Sequence, residues 1–593
     1  MRSCLLGVFL LWLLTVVHAA HFLSNTQQWT LLTRAPSEET LRFTLALKAP
    51  NAQGLKQVFH ERSNPTHARY RQWLSDSEVL VYTTPTSENQ TRLMAWLTGN
   101  GVPPQAIRNT GDAVFVEATV ATARQLFQTD FYRARHRLNQ RLAVIQVGQW
   151  ALPDDLARDV VELVLGIGTC APPTGEGGPP PRRRTEDALS IVPATLFDLY
   201  SFPTAHPNVY EKRTRQAVVQ FQDQFFSSDD LVAFGRGVGL DLKPIAPDHI
   251  VGQNDPTNPQ MEGTLDSQMI AAMYNNTNGG STWFWIEPSD AWLFDFTQHL
   301  FGREAATRPQ VVSVSYGWSA TEQEMVEPMV TGQSLRYVAR IDQELMKLGA
   351  TGISVIVAAG DAGTHSRVDP ECTASHFHAD YPGSSPWVTS VGASQLLFSE
   401  PLRSNNIPPV CLGLPLPCAN GSVGYETAVS FDPARFATGG GFNNFSAIPD
   451  YQAEAVAHYL QSGTALPPQH YWNRTSRAWP DLSAIGHQCV VIQKGVPRTV
   501  GGSSCSAPIF AGIVSRLNDV SLHKTNRTLG FLNPLLYQMA HCFKDIVSGD
   551  NFCSEKHCRR SCRGFYAAPG YDPVSGLGTP NVTCMLDFVA RLS

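Results

Sequence analysis

Downstream of residue 188 the apolar positions fall into short continuous runs separated by amphipathic stretches. Ala217–Phe221, Gln310–Tyr316, Ile353–Ala359 and Trp387–Val391 read as strands, and the third is apolar enough to be buried on both faces. Between the second and third, Leu335, Val338, Ile341, Leu345 and Leu348 recur at helical spacing, with Gly349 as the predicted C-cap. Strands alternating with helices predict an α/β domain built on a mainly parallel sheet. Its ligand site is then expected at the carboxyl ends of the strands.

The first part of the chain has a different rhythm. Leu41–Leu47 alternates as a half-buried strand, and Ala113–Glu117 reads as another. Leu55–Glu61, Gln90–Leu97 and Val120–Phe127 carry helical patterns, which together predict a small α+β unit. The stretch from Cys170 to Glu186 is rich in Pro and Gly, has no apolar period, and reads as an extended linker. Within it, Arg182, Arg183 and Arg184 fit either a processing site or a solvated charge run. The expected segments are therefore 1–20, 21–170, 171–187 and 188–593.

Composition narrows the class. A formal charge of −6 carries no basic excess, which argues against a nucleic-acid partner. Met1–Ala20 has a positive start at Arg2, an apolar run from Leu5 to Val17 and small residues before Ala20, the pattern of a secretory signal. No later stretch is long and apolar enough to insert in a membrane. Twelve cysteines suit an oxidising compartment, as do the sequons at Asn89, Asn275, Asn420, Asn444, Asn473, Asn526 and Asn581. Cys411 with Cys418 is an expected local bridge, and Cys505 an expected free thiol; the pairing of Cys542–Cys562 stays open, with a zinc knot as a weaker reading.

The candidate chemistry centres on Gly501-Gly502-Ser503-Ser504-Cys505-Ser506, which precedes apolar positions at helical spacing (Ile509, Ile513, Val514, Leu517). A serine between a glycine turn and a buried helix stands where unpaired N–H groups favour negative charge, as a hydroxyl nucleophile beside an oxyanion site requires. A small-residue loop entering a helix fits these residues equally well. A serine nucleophile needs a base, yet no His-Gly-Thr helix start exists. Glu262-Gly-Thr-Leu-Asp266 stands in its stead, with two carboxyls on one helix face. Like charges at that spacing force a shared proton, whereas on an exposed helix they are merely solvated. Asp361 ends an apolar strand. It fits an Asp turn, a magnesium ligand (although no phosphate-binding loop is present) or a neutral acid donating to an oxyanion.

Taken together, these blocks resemble the sedolisins, acid-acting serine-carboxyl peptidases with a subtilisin-like fold. The resemblance runs through Asn64-Pro-Thr, Tyr70-Arg-Gln-Trp-Leu-Ser75, Glu262-Gly-Thr-Leu-Asp266, Val311–Gly317, Ala359-Gly-Asp-Ala-Gly363, Gly439-Gly-Gly-Phe442, Arg477–Asp481 and Gly502–Ser506. It implies an α/β catalytic domain preceded by a ferredoxin-like α+β pro-domain that inhibits it within the same chain. It also implies Ser504 as nucleophile, Glu262 as general base and acid, Asp266 as the carboxylate orienting Glu262, and Asp361 as oxyanion donor. A carboxyl near ~4.3 suits acid, where an imidazole near ~6.5 is already protonated. Ser503 and Ala362 depart from the threonine and serine usual in the family. The resemblance further implies one structural calcium ion on Asp545, Asp572 and the carbonyls of Ile546, Ala568 and Gly570. The implied substrates are peptides and proteins in an acidic compartment of the secretory route, with tripeptide release from free N-termini favoured over internal cleavage. A catalytically inactive peptide-binding glycoprotein and a histidine-dependent subtilisin relative are the competing readings.

Overall fold

The computed structural model describes residues 19–23, 29–137, 142–167, 189–203, 213–275, 281–288, 291–325, 335–403 and 407–592. The apolar run from Leu5 to Val17 and the 171–187 linker with its arginines lie outside these residues, as does Cys170. The chain divides into two compact units. One comprises Met1–Ala52, Leu80–Pro173 and Glu324–Tyr337; the other comprises Gln53–Val79, Thr174–Gln323 and Val338–Ser593.

The first unit holds an antiparallel sheet of β1 (Thr40–Leu47), β2 (Ile107–Asn109), β3 (Ala113–Thr119) and β4 (Val161–Leu165), in the order β2-β3-β1-β4. The alternation read from β1 and β3 points Phe43, Leu45, Val114 and Val116 into a core shared with Leu97, Phe127 and Trp150. A helix over Val120–Phe127 starts where predicted. The Thr119 side chain accepts the Thr122 N–H, and Gln128 closes it in the left-handed region.

The second unit is organised on one large sheet. It contains β5 (Gln216–Phe221), β6 (Ile250–Val251), β7 (Thr282–Glu287), β8 (Val311–Val314), β9 (Ser354–Ala358), β10 (Thr389–Leu397) and β11 (Tyr425–Ala428), in the order β6-β7-β5-β8-β9-β10-β11. A further strand, β12 (Leu482–Ile485), pairs with β10. All pairings are parallel except that of β11. Strands β5, β8 and β9 are buried along their whole length, as their continuous apolar runs require. Because they run in parallel, the residues that follow them emerge on one edge: Ser315-Tyr316 after β8, and Gly360-Asp361 after β9.

Two expectations shift. The helix α1 (Leu335–Ala350) runs through Gly349 instead of ending there. A Cβ at Gly349 would stand 2.5 Å from Cε2 of Phe59, so this glycine permits close packing rather than a cap. The strand predicted from Trp387 starts two residues later, and the Trp387 ring lies edge-on to Phe59 at 5.4 Å.

Among the described residues four disulfides form: Cys372–Cys562, Cys411–Cys418, Cys542–Cys584 and Cys553–Cys558. Cys505 is a buried free thiol as expected; Cys489, whose place in an oxidising-compartment protein marks it as a bridge candidate, is instead a second buried free thiol. The triad His541, Cys542 and Cys584 has metal-like spacing, but two of its sulfurs are bonded to each other. That disposes of a zinc knot there. Among the described residues no helix is long and apolar enough to cross a membrane.

Candidate active site

Two helices bring the reacting groups together. In α2 (Met261–Tyr274), every residue from Gly263 to Tyr274 is buried, which removes the solvated-helix explanation of the Glu262/Asp266 pair. In α3 (Ser503–Thr525), Gly502 is the N-cap with φ 144°, a backbone reserved for glycine, and Ser504 follows in the first turn. Pro508 lies inside α3 and has no N–H to offer the carbonyl of Ser504 four residues back. The Ser315 hydroxyl reaches that carbonyl at 3.4 Å, fastening the turn to the end of β8.

The Glu262 carboxyl stands close enough to Ser504 for the serine to act on its pKa, while the Ser504 hydroxyl donates to the Ser315 carbonyl at 3.5 Å. Its Oε1 is sealed from solvent with no hydrogen-bond partner, while the residue as a whole keeps some surface in the cleft. Burial is the main reason its pKa rises, to about 7, with Asp361 adding repulsion and Arg367 and Ser504 opposing it. Asp266 is fully buried. Its Oδ2 accepts from Gln220 Nε2 at 2.7 Å and its Oδ1 from Ser315 Oγ at 2.7 Å. Burial and then the nearby Glu262 raise its pKa well above the usual carboxylate range. With both raised, the two carboxyls are each protonated in acid in the unliganded site, and they come down to one proton between them only as pH rises through about 7. Tyr316 steadies the outer edge by donating to Gln220 Oε1 at 3.1 Å.

Asp361 meets the same turn from β9. Its Oδ1 accepts the Ser503 N–H at 2.7 Å and the Ser503 hydroxyl at 2.8 Å, and Ser503 Oγ accepts the Gly360 N–H at 3.1 Å. A Cβ on Gly502 would come within 3.0 Å of Asp361 Oδ2, so the second carboxyl oxygen lies against the glycine turn. The arrangement thus offers a hydroxyl, a carboxyl in contact with it, a second carboxyl behind the first, and a third beside the helix N-terminus. Such a set can draw off a hydroxyl proton and stabilise an oxyanion. Ser315, Gln220, Tyr316 and Ser503 complete it. Nothing in the sequence marks the first three as site residues, since serine, glutamine and tyrosine carry no diagnostic spacing, and Ser503 stands out only as a departure from threonine.

The residues expected around calcium also converge. The Gly570 N–H donates to Asp545 Oδ2 at 2.8 Å and the Ala568 N–H to Asp572 Oδ2 at 2.9 Å. Ser575 Oγ reaches both Asp572 Oδ2, at 3.0 Å, and the Ile546 carbonyl, at 3.3 Å. Burial raises both aspartates, Asp572 to about 7, and among the described residues neither forms an ion pair with a Lys, Arg or His. An exposed Asp545 and a fully buried Asp572 beside backbone carbonyls fit a hard cation.

Residues 27–169 match the pro-kumamolisin activation domain, and residues 249–539 match the subtilase family. Physarolisin from Physarum polycephalum is 32% identical over 99% of both chains. Tripeptidyl-peptidase 1 is 29% identical in Bos taurus, over 99% of this chain and 98% of that protein, and 28% identical in Homo sapiens, over 99% of both. Among solved structures, Pseudomonas sedolisin, a serine-carboxyl proteinase complexed with pseudo-iodotyrostatin, covers 68% of this chain and 98% of its own. It does so at 20% identity and a TM-score of 0.50, a likeness of fold.

Proposed function

The chain belongs to the sedolisin family of serine-carboxyl peptidases and carries an activation domain; on that premise we propose that it is an acid-acting peptidase releasing tripeptides from free N-termini. The observation that carries the chemistry is the buried Glu262–Asp266 pair in contact with Ser504, with Asp361 alongside. Once Glu262 has given up its own proton, it takes the Ser504 proton as Oγ attacks the scissile carbonyl, and Asp266, still protonated, keeps Glu262 oriented. Asp361 then donates from Oδ2 to the developing oxyanion, because its Oδ1 is already engaged by Ser503. Glu262 returns the proton to the leaving amine, the acyl group stays on Ser504, and water completes hydrolysis by the reverse sequence.

The exopeptidase part of the reading is supported by the name and full-length coverage of the tripeptidyl-peptidase 1 relatives. The activation domain acts as an intramolecular inhibitor removed near 171–187, and the signal-like start and the disulfides fit an acidic compartment such as the lysosome. Asp545, Asp572 and the carbonyls of Ile546, Ala568 and Gly570 are the residues that would hold one calcium ion, whose charge would neutralise the two carboxyls, of which Asp572 is buried. Mass spectrometry of peptides released from casein at pH ~4 tests the substrate class. Three-residue fragments are the expected product, and internal fragments alone would replace the exopeptidase reading with an endopeptidase one. Ser504→Ala should release neither.

A further inference from the structure

The turn that presents Ser504 is held from behind by groups that the reaction as described does not use. The Gly502 N–H donates to the Gly486 carbonyl at 2.8 Å. The Ser506 hydroxyl donates to the Ala484 carbonyl at 2.9 Å, with the Ile485 carbonyl at 3.2 Å. All three carbonyls belong to the end of β12 and the residue after it. That end is in turn fixed to the central sheet, because the Gly486 N–H donates to the Ser394 carbonyl in β10 at 2.8 Å. A Cβ at Gly486 would stand 2.9 Å from Ser506 Oγ and 2.6 Å from Cβ of Ala393, so only glycine lets turn and sheet approach this closely.

The same strand end has a partner in the chain just after the linker. The Ile485 N–H donates to the Tyr200 hydroxyl oxygen at 2.7 Å, and that hydroxyl reaches Glu426 Oε1 at 3.4 Å. Glu426 is itself fixed by the hydroxyls of Ser394 and Thr579, each at 2.7 Å. Ile191 adds to the joint: its N–H donates to the Gln488 carbonyl at 2.8 Å, and its carbonyl accepts the Val490 N–H at 2.9 Å. Tyr200 is 1% exposed and Ile485 and Ser506 are fully buried, so solvent is not at hand to replace a lost partner. Ile485 thus stands between Tyr200, which holds its N–H, and Ser506, which lies against its carbonyl.

We propose that Tyr200 and Ser506 are positioning residues for Ser504: together they clamp Ile485, and the clamped strand end sets where the nucleophile turn presents its hydroxyl. The proposal rests on the reading of Ser504 as the nucleophile. A displacement of about 1 Å in a reacting group costs roughly a hundredfold in rate. Asp361 restrains the front of the turn through Ser503 alone, so the back needs a restraint of its own, and the end of β12 supplies it. Because Tyr200 lies beyond the 171–187 linker, removal of the activation domain there leaves the clamp intact. The processed enzyme therefore has to retain Tyr200.

The test is kcat and KM on an internally quenched peptide with a free N-terminus, with kcat expressed per Ser504 titrated by a fluorophosphonate. The variants are Tyr200→Phe, Ser506→Ala and the two combined. Each single variant should lose about tenfold in kcat, the scale of one buried hydrogen bond, with KM within about twofold of wild type. The combined variant should lose little more than the worse single one, because both act through Ile485. A purely structural role would lower the melting temperature and the number of titratable sites but leave kcat per site unchanged. That outcome would overturn the proposal, as would losses that multiply in the combined variant or an active processed enzyme that begins beyond Tyr200. If melting curves show that Tyr200→Phe does not fold, kcat per site in Ser506→Ala decides alone. A wild type that takes up no label on Ser504 removes the nucleophile reading and this proposal with it, whereas a labelled wild type with unchanged single variants removes this proposal only.

Discussion

Ser503 occupies a position where one methyl group separates it from the threonine usual in this family, yet its hydroxyl bridges Gly360 and Asp361. Removing it leaves Asp361 with the backbone N–H alone on Oδ1. A hydrogen bond to a charged or acidic group is worth about 1.5–3 kcal/mol, so Ser503→Ala should lower kcat by about tenfold or more. Ser503→Thr should preserve it. Unchanged kcat in the alanine variant would mean that Asp361 is held by other groups. Asp266 is the sterner case, because Asp266→Asn leaves Gln220 and Ser315 facing an amide whose NH2 cannot accept from them. Activity at pH ~4 should fall by at least about a hundredfold, the usual scale for a misdirected proton-transfer group.

At the scale of elements, the clearest lesson is Gly349. A glycine at the end of a periodic helix reads as a cap, but the reason for this one lies 290 residues earlier, in the ring of Phe59. Phe59 falls in the segment expected to leave with the pro-domain, so Gly349→Ala should have opposite effects on the two forms. It should destabilise the proenzyme by about 1–3 kcal/mol through overpacking. After processing, alanine in a helix should be neutral or stabilising by about 1 kcal/mol. Equal melting shifts in both forms would contradict the packing explanation. A second element-level expectation concerns the Asp545/Asp572 loop: EDTA should lower the melting temperature of the wild type and leave Asp572→Ala unaffected. An equal response in both would remove calcium from that loop.

Periodicity found the elements whose cores are local. Ala113–Glu117 and Val120–Phe127 each bury one face against near neighbours, and both formed almost as read. It failed where a distant partner decides, as at Gly349 and Trp387. The candidate carboxyls stood out because Glu262 and Asp266 share a helix spacing, and Ser504 because of its glycine turn. Gln220 and Ser315 did not, since parallel strands bring them in from remote stretches.

Among the described residues, several enclosed carboxyls are pushed up, although Asp369, despite its burial, is lowered by the Thr373 and Ala374 N–H groups. Glu262, Asp342 and Asp572 are raised to about 7 and Asp380 to about 6, chiefly by burial. A carboxyl whose folded pKa exceeds its unfolded value binds more protons in the native state, so stability is full below the unfolded value near ~4 and is lost as pH rises through ~7. Half-buried His378 and buried His487, lowered to about 4, work the other way in the same window. The carboxyls outweigh them, and Asp266 adds to their side. The melting temperature without calcium should therefore be higher at pH ~4.5 than at pH ~7.5, by about 5 °C or more. A protein more stable at neutral pH would mean that these carboxyls find compensation the structure does not contain.

The account as a whole turns on a carboxyl taking the Ser504 proton in acid. The most direct measurement is the rate at which a fluorophosphonate labels the processed enzyme at pH ~4, with the modified residue located by peptide mapping. The wild type should carry the label on Ser504, and Glu262→Gln should label at least about a hundredfold more slowly while melting normally. Labelling of Glu262→Gln at the wild-type rate, or modification of a residue other than Ser504, would contradict it.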